Sequence, residues 1–205
     1  MDPNSNDIES VLGFWFGGDG NRNIAATAQA KEALWWGGNR ETDGLIRQRF
    51  GDLHAQALRG DLDAWCDTPR GRLALIIVVD QFSRNIHRGT PGAFAQDALA
   101  RRLCVEGLAA GIDQELGLLE RVFFYLPLEH SEDRADQARS VAVYESLTQA
   151  APDALRDLFE LYGQFAVDHR RVVDRFGRFP HRNAILERVS TDEERAFLEQ
   201  PGSSF

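Results

Sequence analysis

Leu73-Ala74-Leu75-Ile76-Ile77-Val78-Val79 is the longest unbroken apolar run in this chain. Such a run suits a buried strand or the middle of a buried helix, and periodicity does not separate the two. No other segment offers a convincing partner strand, and a lone strand has no ladder to join. The run is therefore predicted to be helical, from about Pro69 to about His87. Pro69 suits a first helical turn, and Arg88-Gly89-Thr90-Pro91-Gly92 is a strong stop.

Working outward, the periodicity is mostly helical. Ile8, Val11, Leu12, Trp15 and Phe16 recur at helix spacing before the break at Gly17-Gly18-Asp19-Gly20-Asn21. Leu45, Phe50, Leu53, Ala57 and Leu58 mark another helix, with Thr42 or Asp43 as the expected cap and Gly60-Asp61 as its end. A short piece, Leu62 to Cys66, precedes Thr68-Pro69. Helices are also expected near 93–110, 114–126, 132–150 and 152–176. Pro127 should interrupt or end the second of these. Gly177 sits at a C-cap position, and Thr191-Asp192-Glu193-Glu194 reads as a capping box opening a last helix through Leu198. The expectation is an all-α single domain over 1–205, with about eight to ten helices and a flexible stretch at 1–6. Its helix pairs suit a tetratricopeptide-like stack or bundle of hairpins, although no fixed-period repeat is evident.

At 205 residues the chain can bury a core without disulfides or metals. The two cysteines, Cys66 and Cys104, have no close-spaced partner, so neither a zinc knuckle nor a redox pair is suggested. A net charge of -9 argues against binding nucleic-acid backbones, which takes clustered positive charge. The N-terminus lacks a signal-peptide pattern, and no apolar run reaches the length of a membrane span. A cytoplasmic protein is expected, with a homodimer as one possibility. Lys31 is the only lysine, so positive charge is almost all arginine, whose planar fork suits carboxylate and phosphate.

Four of the five histidines fall in or beside three polar motifs: Asp80-Gln81-Phe82-Ser83-Arg84-Asn85-Ile86-His87-Arg88, Leu126-Pro127-Leu128-Glu129-His130-Ser131-Glu132-Asp133, and His169 leading to Phe176-Gly177-Arg178-Phe179-Pro180-His181-Arg182-Asn183. On a helix, Asp80, Arg84, His87 and Arg88 share a face, with Gln81, Asn85 and Arg88 along the adjacent stripe. This face is either a solvated helix end or the wall of a cleft. His130 stands among Glu129, Glu132 and Asp133, and a carboxylate beside an imidazole raises its basicity. The same acids could instead simply favour the start of the next helix. The spacing matches no metal signature, so no metal ligand is assigned. His169 lies on an apolar stripe with Tyr162, Phe165, Val172, Val173 and Phe176, which equally suits a core residue. Arg178, His181, Arg182 and Asn183 sit in a loop between helices, where binding groups are often carried.

These three motifs, with the Phe14-Trp15-Phe16 opening and the Ser190-Thr191-x-Glu193-Glu194 ending, resemble the bacterial domain-of-unknown-function family 924. That family carries Asp-Gln-Phe-x-Arg-Asn, Leu-Pro-x-Glu-His-Ser-Glu and Phe-Gly-Arg-Phe-Pro-His-Arg-Asn. The resemblance implies an all-helical fold related to tetratricopeptide-type hairpins, and no activity.

The favoured expectation is one pocket for a small anionic ligand, phosphate or carboxylate, with enzymatic chemistry open. Arg84, Arg88, Arg178 and Arg182 would bind the anion. His130, oriented by Glu129 or Glu132, would be the acid or base. Asp80, Gln81, Asn85, His169, His181 and Asn183 would position the ligand. The sequence names no cofactor. Two alternatives are an interaction module gripping an acidic peptide and a buried polar network that only fixes helix packing. The first expectation fails if His130 lies far from Arg84 and His181.

Overall fold

Thr68 accepts a hydrogen bond from the Gly71 N–H at 3.1 Å, and Pro69 follows at the first helical position. The helix this starts, α4, runs through Pro69–Ile76, continues as a π turn over Ile77–Phe82 and closes as α-helix over Ser83–Ile86. The apolar run is thus helical, and every residue from Leu73 to Val79 is at most 2% exposed. The π turn was not readable from the apolar pattern. It lies on Asp80-Gln81-Phe82, and such wide turns are frequent at functional sites.

The computed structural model describes residues 3–18 and 22–203. With α4 counted as one, nine helices and no strand occur among the described residues. The others are α1 (Pro3–Phe16), α2 (Ile24–Trp36), α3 (Arg40–Arg59), α5 (Asp97–Ala109), α6 (Leu118–Glu129), α7 (Arg134–Ala150), α8 (Arg156–Phe176) and α9 (Asp192–Leu198). Short 3-10 turns fill most of the connections.

Several boundaries differ from expectation. The stretch expected to be flexible through residue 6 is helical from Pro3, while residues 1 and 2 lie outside the described residues, as do 19–21 of the expected glycine break. Helix α2 had no counterpart in the sequence reading. The cap of α3 is Asn39, whose side chain accepts from the Thr42 N–H at 2.7 Å, rather than Thr42 or Asp43. Pro127 sits inside α6 without ending it. The helix ends two residues later at Glu129, where the Gln137 side chain donates to the carbonyls of Leu128, Glu129 and Ser131 at 3.3, 2.7 and 2.7 Å. It thereby satisfies acceptors that a helix end leaves open.

Helix α4 is the centre of the molecule, with α1, α3, α5 and α6 packed around it. The α6–α7 and α7–α8 pairs pack side by side across short connections, as antiparallel helical hairpins do. One main core joins residues from α1 through α8. A small satellite of Val172, Val173 and Phe179, backed by Phe176 and Phe197, anchors the C-terminal segment.

Candidate functional site

Asp80 is fully buried on the π turn of α4. One of its carboxylate oxygens accepts from Arg84 Nη1 at 2.9 Å and from His130 Nδ1 at 2.8 Å; the other accepts from Gln81 Nε2 at 2.5 Å. Arg84 and His130 hold the Asp80 carboxyl well below the usual carboxylate range, against the opposing effect of burial. With its Nδ1–H committed to Asp80, His130 keeps Nε2 as its free ring nitrogen. Burial, reinforced by Arg84, lowers the proton affinity of His130 even though Asp80 pulls the other way. His130 is therefore a neutral, oriented imidazole, the form a general base requires.

A second charged contact sits above this pair. Asp97, at the start of α5, lies 3.0 Å from Arg84 Nη1 and 3.1 Å from Arg182 Nη1. Arg182 also donates to the His130 carbonyl at 3.0 Å. Its guanidinium is held between the rings of Phe94 and Phe179, 4.7 and 4.6 Å from their centres. Burial lowers the Arg182 pKa to about 10, so it stays charged at neutral pH. Arg84 Nη2 and Arg182 Nε are buried with no acceptor among the described residues.

Arg84, Phe94, His130 and Arg182 line one cavity of about 470 Å³, along with Gln81, Asn85, Arg88, Glu129, His169 and His181. The three motifs therefore meet. His130 and His169 have ring centres 6.5 Å apart. His169 donates through Nδ1 to the Phe165 carbonyl at 2.8 Å. Burial drives its pKa down to about 3, and that of His181 to about 4. The Glu129 carboxyl is pushed up to about 8, by burial first and by Asp80 second. It stays largely protonated at neutral pH, 3.4 Å from His169 Nδ1. Arg88 lines the cavity but binds Asp43 with both prongs, at 2.6 and 2.9 Å, and Asn85 donates to Asp43 at 2.9 Å.

Four expected site residues are placed elsewhere. Asp80 lies behind the lining and acts through His130 and Arg84. Glu132 faces the other way: it accepts from the Phe179 N–H at 2.8 Å and pairs with Arg188 at 2.7 Å, so it does not orient His130. Arg178 grips Glu194 at 2.6 and 2.8 Å instead of facing the cavity. Asn183 is fully buried, donating to Ser190 at 3.0 Å and accepting from Arg188 at 2.9 Å. These last three fold the loop that carries His181 and Arg182. His87 is also outside the lining, against His54 at 5.5 Å between ring centres.

The sequence reading missed the cavity's apolar wall, which is built by Trp35, Trp36, Val122, Leu126, Tyr144, Tyr162, Phe165 and Ile185. Among the described residues, no cluster of three histidine, cysteine or acidic side chains is arranged to hold a metal ion. No helix among them is long and apolar enough to cross a membrane.

A structure titled as a protein of unknown function from Agrobacterium tumefaciens is similar to this one, with 37% identity and a TM-score of 0.79 over 95% of this chain and 98% of that one. No curated protein matches. The sequence pattern of the family described as "Bacterial protein of unknown function (DUF924)" matches residues 11–202. Three motifs brought into one cavity, on an all-helical fold, thus sit in a chain that belongs to this bacterial family of unknown function.

Proposed function

We propose that the cavity binds a small anionic molecule and supports acid–base chemistry on it. The observation that carries this reading is that two arginines lining the cavity beside His130 each keep a buried donor, Arg84 Nη2 and Arg182 Nε, with no acceptor among the described residues. A buried donor without a partner is costly to a fold, and a bound anion would complete both. His130, oriented by Asp80, is the base. Glu129, kept protonated by its surroundings, is the acid. Two neighbouring groups whose environments push their pKa values apart mark such an assignment.

The acidic-peptide reading has less support. Arg182 is only 6% exposed, and Arg178 is already occupied by Glu194. A peptide groove needs arginines within reach of the surface. The test is a thermal-shift screen of the full chain with inorganic phosphate and with short carboxylates. A ligand at a hundred times its Kd should add about 2.7 kcal/mol of stability. Arg182→Lys keeps the charge but removes the Nε donor of the guanidinium, and it should abolish the shift. An anion shift that survives in R182K rules this cavity out as the site.

A further inference from the structure

The cavity lining changes character along its length. On α6 it passes from Val122 through Leu126 to Glu129 and His130; on α8 it passes from Tyr162 through Phe165 to His169. Val122 to His130 is eight residue steps and Tyr162 to His169 is seven, about 10–12 Å at the α-helical rise. The two helices flank α7 in consecutive hairpins, so they run in the same sense, and their polar ends coincide, as the approach of His130 to His169 requires. The tryptophans belong to the other end, where Trp35 and Trp36 pack on Phe123 with ring centres 4.7 and 5.8 Å apart. The exposed lining residues include Trp36 at 49%, Phe165 at 45% and Arg88, so the cavity opens along its side, whereas Val122, Tyr144 and Tyr162 at its apolar end are at most 5% exposed.

The floor is nearly neutral as a whole. Arg84 and Arg182 face Asp80 and Asp97, so two positive groups meet two negative ones. Among the floor's side-chain atoms, Arg84 Nη2, Arg182 Nε and Asp97 Oδ1 are left without a hydrogen bond. A carboxylate offers two oxygens to the two donors and adds one charge to the neutral floor. A phosphate dianion would add two.

From this grading we infer that the ligand is a monocarboxylate with an apolar tail, medium-chain or aryl-alkyl, its carboxylate on Arg84 and Arg182 and its tail between α2, α6 and α8. This rests on the anion-site reading above and narrows it. A carboxylate with a tail of about six to eight carbons spans the roughly 10 Å from the apolar end to the polar one.

The test is isothermal titration of the full chain with acetate, hexanoate, octanoate, dodecanoate, 3-phenylpropanoate and octyl phosphate. Each methylene buried should tighten binding about fourfold. Octanoate should therefore bind more than about a hundredfold tighter than acetate, with dodecanoate gaining nothing further. Phe165→Ala and Trp36→Ala, both at half-exposed positions, should each cut the octanoate-to-acetate affinity ratio by about fivefold or more. Equal binding of all the carboxylates would overturn the tail while leaving the anion site standing. Octyl phosphate binding tighter than octanoate would overturn the carboxylate. Binding of none of them would overturn this inference, and the thermal-shift screen with phosphate would show separately whether the anion site survives.

Discussion

Glu129 and His130 are neighbours in the chain, and burial acts on them in opposite senses. It lifts the Glu129 carboxyl from an ordinary 4.5 to about 8 and lowers the His130 imidazole. A carboxyl with a raised folded-state pKa contributes stability that is full below its unfolded value and is lost as pH climbs through the folded value. The Glu129 contribution should therefore fade between about 4.5 and about 8. His169 and His181 do the reverse. Their stability is present above the ordinary histidine value of 6.5 and is lost as pH falls toward about 3 and about 4. Urea unfolding from pH 5 to 9 should show wild type weakening on the alkaline side. Glu129→Gln, which cannot ionise, should flatten that side; an unchanged alkaline slope in E129Q would show that Glu129 is not the group responsible. At this scale most of the polar floor was legible, because Arg84, His130, His181 and Arg182 occur in dense polar motifs. Asp97 was not. It is a lone acid at an ordinary helix start, and only the fold brings it to two arginines. Arg178, Glu132 and Asn183 share the motifs but find partners on the C-terminal segment, and spacing in sequence carries no sign of that.

Among the helices, the close meeting of α5, α6 and α4 depends on Gly107. A Cβ there would come within 2.5 Å of Phe124 Cζ and 2.8 Å of the Arg72 side chain. Gly107→Ala should therefore destabilise the protein by about 1–3 kcal/mol as overpacking, although alanine is the better helix former by about 1 kcal/mol. Chemical denaturation would measure this, and a more stable variant would mean that α5 can move away. The helical nature of 73–79 was legible because nothing in the chain could pair with it as a strand. Helix α2 was not legible: Ile24-Ala25-Ala26-Thr27-Ala28 has alanine on every face and no clear apolar stripe. Pro127 does not interrupt α6, which ends two residues later at Glu129, where Gln137 of the next helix caps its last carbonyls. The aromatic wall was invisible too: Tyr144, Tyr162 and Trp35 are at most 7% exposed and have the sequence spacing of core residues.

For the whole molecule, the main core and the C-terminal satellite should open at different free energies. Residues 177–198 rest on a few apolar side chains and on the Arg178–Glu194 and Arg188–Glu132 pairs, whereas α4 is enclosed by four helices. Hydrogen exchange in mild urea should release amides of 177–198 first and those of α4 and α6 last, since segments with few buried contacts open locally. Uniform exchange would indicate a single cooperative unit. Because Arg182 and His181 belong to the weaker part, ligand should slow exchange most there. The π turn of α4 has a consequence that reaches past this one chain. A π turn is a helix carrying one residue more than regular winding needs. A relative with a one-residue gap between 77 and 82 could keep the same helices and core. Residues after the gap, Arg84 and Asn85 among them, would keep their places as the turn returned to regular winding. Asp80 and Gln81, which ride on the wide turn, would be presented differently while the fold stayed intact. Within the family, a gap at this position in an alignment would separate chains that share this chemistry from chains that share only the shape.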